Sequence, residues 1–147
     1  MTAAGAGCVV LVPMLRRAHR VAPLLATLRA TAPAARVLFL CTPNDRHVAR
    51  AVDQAGEERL DVVHQPVGDY ARKINAGYRH TTEPLMFLAA DDLEFRPGWF
   101  EAATAKLEPG VGVGGTNDGG NPRVLRGEHS THSLVTRAYA DRPGATA

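Results

Sequence analysis

The chain has 147 residues, enough for one domain with a core of its own and too few for a second of similar size. A hydrophobic share of 45% and a charged share of 22% are those of a globular protein and exclude a disordered or fibrous class. A net charge of +2 suits small anions, and no stripe of basic and aromatic residues argues for nucleic acid. The uncharged opening, Thr2 to Leu15, contains Pro13 and has its arginines after it, so it reads as neither a leader peptide nor a membrane span.

In chain order, Cys8-Val9-Val10-Leu11-Val12, ended by Pro13, is the first expected buried strand. Val21, Leu24, Leu25 and Leu28 fall at i, i+3, i+4 and i+7, one face of a helix. Arg36 to Cys41 is the second strand, and Thr42-Pro43-Asn44-Asp45 is a turn able to cap the next helix. Val48, Ala51, Val52 and Ala55 mark that helix, closed by Gly56. Leu60 to His64 is the third expected strand. Cys8 and Cys41 have no zinc spacing and should lie at opposite ends of neighbouring strands, as reduced thiols in a cytoplasm.

Gly68 to Phe100 is the most informative stretch. Ala71, Ile74, Asn75 and Tyr78 recur at helical spacing, with Arg72, Lys73, Arg79 and His80 expected on the other faces. Pro84 to Ala90 is nearly uncharged, as suits a strand buried on both faces. It ends abruptly in Asp91 and Asp92, and Pro97-Gly98-Trp99 starts a helix expected to reach Leu107. Alternation of strand and helix implies a parallel sheet with helices on its faces. It brings Pro13, Thr42 to Asp45, Gln65 to Asp69 and Asp91-Asp92 to one end of that sheet, where open α/β sheets bind ligands. Two carboxylates there are hard oxygen donors suited to Mg²⁺ or Mn²⁺ carrying a phosphorylated substrate.

Beyond that helix, Gly110, Gly112 and Gly115 satisfy a G-x-G-x-x-G pattern but lead into the loop Thr116 to Pro122 rather than a helix, which excludes a dinucleotide fingerprint. Val111 to Gly115 is expected as a small-residue strand opening into a loop, its glycines letting a ligand approach the backbone closely. Glu128, His129 and His132 follow, with the two imidazoles as candidate metal or substrate groups, then Ser133 to Val135 as a strand. The stretch from Asp141 to Ala147 reads as a disordered end.

Ala71-Arg72-Lys73-Ile74-Asn75-Ala76-Gly77, Ala89-Ala90-Asp91-Asp92-Leu93 and Pro97-Gly98-Trp99-Phe100 together resemble the core of the GT-A glycosyltransferases of family 2. The likeness runs from about Cys8 to Tyr139. It implies a three-layer α/β/α, Rossmann-like fold with a mostly parallel central sheet across residues 1–147. The nucleotide half would cover about 8–92 and the acceptor half about 93–140. It further implies transfer of a sugar from a nucleotide diphosphate sugar to an acceptor hydroxyl of unknown identity, with Mn²⁺ or Mg²⁺ and with inversion. Pro13, Asn44, Asp45, Arg72, Lys73, Asn75 and Asp91 would contact the donor, and Asp92 and His129 the metal. Asp118 and Glu128 are the carboxylates in the acceptor region able to take the acceptor proton. The family pattern usually has aspartate where this chain has Ala90, which favours a binding module without turnover as the alternative. A nucleotidyltransferase is less well supported, since Pro13-Met14-Leu15-Arg16-Arg17 lacks the glycine-rich loop expected of one.

Overall fold

The computed structural model describes residues 2–107, 112–117, 120–128 and 131–144. Among the described residues six strands form one sheet: β1 (Cys8–Pro13), β2 (Arg36–Cys41), β3 (Glu58–Asp61), β4 (Leu85–Leu88), β5 (Val113–Gly115) and β6 (Ser133–Thr136). Their order is β3-β2-β1-β4-β6-β5. The first four pair in parallel, while β6 is antiparallel to both β4 and β5. The expected mostly parallel sheet is therefore observed, with β6 as the strand that reverses.

The helices are α1 (Val21–Thr31), α2 (Arg46–Gln54), α3 (Asp69–His80), α4 (Trp99–Thr104), α5 (Pro122–Leu125) and α6 (Arg137–Ala140), with a 3-10 turn at Ala18–Arg20 before α1. Because strand side chains alternate between faces, Val10, Val12, Val37, Phe39 and Phe87 meet α1, α2 and α4 on one side. Val9, Leu11, Leu38, Leu40 and Met86 meet Ile74 and Tyr78 of α3 on the other. This is the expected three-layer α/β/α arrangement. Among the described residues no helix is long and apolar enough to cross a membrane. Cys8 and Cys41 are free and buried, at the start of β1 and the end of β2.

Several boundaries differ from the sequence reading. β3 begins at Glu58 rather than Leu60, in register with Leu38 to Cys41 of β2. It lies at the sheet edge, where charged Glu58, Arg59 and Asp61 are tolerated, so no apolar run marks it. α4 ends at Thr104, whose hydroxyl donates back to the Phe100 carbonyl at 2.9 Å. The expected start of β5 at Val111 lies outside the described residues. Gly112 has a packing reason, since a Cβ there would lie 2.2 Å from Tyr139 Cβ. Asp141, expected in a loose end, accepts a hydrogen bond from the Tyr78 hydroxyl.

The largest correction concerns the inward face of α3. Its fully buried residues are Lys73 and Gly77, while Ala71 is exposed and Ile74, Asn75 and Tyr78 are half-buried. Lacking a side chain, Gly77 lets the helix settle onto Leu11 and Leu40. Lys73 is buried because its ammonium finds protein oxygens on three sides.

Candidate donor and cavity site

The carboxyl ends of β1 to β4 share one rim. After β1 the chain stays tied to the sheet through the Met14 amide, which donates to the Leu40 carbonyl at 2.9 Å. Arg16 then adopts φ +57, a left-handed conformation uncommon for a residue with a side chain. This turn sends its amide to Asp45 Oδ2 at 2.7 Å. Asp45 also caps α2, accepting from the Val48 amide, so one carboxylate joins the rim loops after β1 and β2. Asn44 beside it sits at φ +73, a region asparagine tolerates better than most residues.

The two adjacent carboxylates at the end of β4 have different environments. Asp91 is 8% exposed and pairs with Arg17 at 2.9 Å, while Arg20 Nε donates to its carbonyl at 3.4 Å. Burial pushes the Asp91 carboxyl above its ordinary value, the Arg17 charge opposes this, and Asp92 adds to it. Asp92 is exposed and lines a cavity of about 570 Å³ between the β4 end, α4 and the β5–β6 pair. The apolar wall of this cavity is Phe87, Phe95 and Trp99, with Phe87 and Trp99 centroids 4.9 Å apart and Phe95 and Trp99 4.8 Å apart. Trp99 is held from behind by its indole N–H, which donates to Thr31 Oγ1 at 3.0 Å. Asn117 and His132 supply polar walls. His132 Nδ1 lies 3.2 Å from the Leu88 carbonyl, which can only accept. Nδ1 therefore carries the proton, and in the neutral ring Nε2 keeps the lone pair, the state a metal-ligating or basic histidine requires.

The sequence-derived residues fall in several places. Pro13, Asn44, Asp45 and Asp91 lie on the rim, and Asp92 lies at the cavity. Arg72 is exposed on α3 and Asn75 half-buried. Lys73 is 1% exposed, with its ammonium on Met14 O at 2.8 Å, Thr42 Oγ1 at 2.9 Å and Asp69 Oδ2 at 2.9 Å, so it holds protein oxygens instead of an open surface. Glu128 pairs with Arg123 at 3.0 Å and Arg126 at 2.7 Å in the turn after α5 and is not among the residues lining the cavity. Asp118 and His129 lie outside the described residues. The site also contains groups that the sequence reading did not assign, namely Arg17, Tyr70 and the aromatic wall. The paired arginines after the first strand were the available signal for Arg17.

The donor set suits a divalent cation that shares its shell with a ligand. Such ions keep several waters and take one or two carboxylates plus substrate phosphates. Exposed Asp92 offers one such carboxylate, and His132 lines the same cavity. Among the described residues, no three His, Cys, Asp or Glu side chains form a cage that would hold an ion by protein groups alone.

A search of curated protein sequences finds no match. A mannosyltransferase from Pyrobaculum calidifontis, solved with GDP-Man and Mn2+, superposes with a TM-score of 0.74 at 16% identity, covering 97% of this chain and 49% of its own. Glucosyl-3-phosphoglycerate synthase from Mycobacterium tuberculosis superposes with TM-scores of 0.62 in complex with phosphoglyceric acid and 0.61 in complex with UDP. Both matches are at 14% identity and cover 92% of this chain and 58% of that one. The chain thus spans about half the length of the solved structures it matches. At these identities the likeness carries the fold, and the sequence itself supplies the family. The model of glycosyl transferase family 2 matches residues 9–144, nearly the whole sheet and the rim built on it, and the chain belongs to that family.

Proposed function

We propose that the chain moves a glycosyl group from a nucleoside diphosphate sugar to an acceptor hydroxyl, with a divalent cation and with inversion at the anomeric carbon. The observation that carries this reading is the split between Asp91, buried and paired with Arg17, and Asp92, exposed at a 570 Å³ cavity beside His132. The rim of Pro13, Asn44, Asp45 and Asp91 receives the donor, with Arg72 and Asn75 on the neighbouring helix, and the cavity receives the acceptor. Asp92 and His132 hold Mn²⁺ or Mg²⁺, with His129 as a further candidate, and the ion supplies positive charge to the leaving diphosphate. Arg17, held by Asp91, adds a cation near that charge, and exposed Arg16 stands beside it in the same turn. Half-buried Trp99, packed against buried Phe87 and Phe95, offers a flat face to a sugar ring. Asp118 is our choice for the carboxylate that takes the acceptor proton, because Glu128 is engaged by two arginines. A cytoplasmic setting is supported by the unpaired thiols Cys8 and Cys41.

The test is release of nucleoside diphosphate from a panel of UDP- and GDP-sugars, with Mn²⁺ and with chelator, followed by proton NMR of the product anomer. Metal-dependent release with an inverted anomer is expected. Absence of both binding and turnover across the panel overturns the reading. Binding without turnover identifies the alternative that Ala90 favours, a sugar-nucleotide-binding module.

A further inference from the structure

The first two turns of α3 touch the carboxyl ends of all four parallel strands. Lys73 reaches the Met14 carbonyl after β1 and the Thr42 hydroxyl after β2. Asp69, its partner at 2.9 Å, accepts from the Gln65 amide after β3 at 3.1 Å, with His64 Nδ1 also 3.1 Å away. Tyr70 donates its hydroxyl to the Ala89 carbonyl after β4 at 3.0 Å. An ammonium has three protons, and the three oxygens around Lys73 occupy all of them.

Stability alone is a poor explanation for this arrangement. A buried charge is costly unless it is paired and fully hydrogen-bonded, and a packed apolar side chain of similar length often serves stability as well or better. What Lys73 adds is a fixed distance between two loops. The Met14 carbonyl sits at the root of the turn carrying Arg16 and Arg17, and Arg17 reaches Asp91. Thr42 opens the turn carrying Asn44 and Asp45, and Asp45 receives the Arg16 amide. Both loops belong to the rim assigned above to the donor. We infer that Lys73, charge-paired with Asp69, is a positioning residue for the nucleoside diphosphate: it sets the spacing of the 14–17 and 42–45 loops without touching the ligand itself. The inference rests on the proposed donor site, and its loop-spacing half stands independently of it.

The experiment compares wild type, Lys73→Met and Thr42→Val as full chains. Calorimetry with UDP and GDP in Mn²⁺ reads affinity, turnover reads KM and kcat, and amide hydrogen exchange reads residues 14–17 and 42–45 against the strands. In Lys73→Met, nucleotide affinity and donor KM should each worsen about tenfold while kcat at saturating donor stays within about threefold. Exchange should quicken in the two loops and remain slow in β1 and β2. Thr42→Val, which removes one of the three oxygens, should give a smaller loss of the same kind. Wild-type affinity and loop exchange in Lys73→Met overturn the inference, as does a loss of protection spread evenly over the sheet. If Lys73→Met does not fold, Thr42→Val decides, and wild-type behaviour there overturns it. If wild type binds neither nucleotide, the functional proposal fails at this donor site. Loop exchange in Lys73→Met then decides alone, with faster loops sustaining the positioning role and unchanged loops overturning it.

Discussion

Replacing Gly77 with alanine isolates the contact that seats α3 against the sheet. A Cβ there would lie 2.9 Å from Leu11 Cδ2 and 3.2 Å from Leu40 Cδ2, both from fully buried residues. Two effects oppose each other. Alanine in a helix interior is favoured over glycine by roughly 1 kcal/mol, whereas overpacking a filled core costs about 1–3 kcal/mol. Leucine methyls can shift a few tenths of an ångström, but both neighbours lie inside the core, so the packing cost should win by about 1 kcal/mol. For a chain of this size that corresponds to a loss of about 2–4 °C in melting temperature. Gly77→Val, with two more methyls, should lose roughly 2–3 kcal/mol. Denaturant titration and calorimetry measure both. A double-mutant cycle with Leu11→Ala should return a coupling of about 1–2 kcal/mol, because the shorter of the two close contacts disappears with that leucine while the one to Leu40 remains. Outward displacement of α3 also carries Asp69, Tyr70 and Lys73 away from the strand ends, so nucleotide affinity should fall with stability. A rise in melting temperature for Gly77→Ala, the behaviour of an exposed helix glycine, would refute the close-packing argument.

Asp92→Ala should abolish metal-dependent binding of nucleoside diphosphates while changing stability by less than about 0.5 kcal/mol, since the residue is exposed; unchanged affinity by calorimetry removes Asp92 from the metal site. Acid stability should depend on Arg36, which bonds Glu58 at 2.7 Å and Glu83 at 2.7 Å. The Arg36 hydrogen bond holds Glu58 below its ordinary value; for Glu83, burial pushes upward, but the Arg36 bond and charge together with backbone hydrogen bonds at Thr82 and Glu83 bring it below its ordinary value. Both groups therefore stabilise the fold above the ordinary value of 4.5, and that contribution is lost as pH falls through their lower folded values. Arg36→Met should flatten the decline in stability below that pH, and denaturation profiles identical to wild type would count against the pairing. Burial pushes the Cys8 and Cys41 thiols up to about 12, so neither should react with an aromatic disulfide reagent at pH 8 until the chain unfolds. Rapid labelling of native protein would contradict their burial.

Local pattern determined much of this protein. Val21, Leu24, Leu25 and Leu28 mark α1, and uncharged runs mark β1, β2 and β4, because a central strand or an amphipathic helix must carry its own apolar periodicity. The Asp91-Asp92 pair was legible for the same reason, as the abrupt polar end of a run buried on both faces. β3 was not legible at its true start, since an edge strand is held by backbone bonds to its neighbour and its side chains are free to be charged. Nor could helical periodicity reveal that Lys73 points inward. Asp69 Oδ2 is local, one turn back on α3, but Met14 O and Thr42 Oγ1 come from the loops after β1 and β2, which reach Lys73 only after the strands align. The different environments of Asp91 and Asp92 likewise depend on Arg17, delivered by the loop after β1 because β1 and β4 are neighbours in the sheet. His132 gains its tautomer from the Leu88 carbonyl through the antiparallel pairing of β4 with β6. Periodicity is a property of consecutive residues and survives in the sequence, whereas these partnerships depend on strand order, and only the closed sheet brings their atoms within bonding distance.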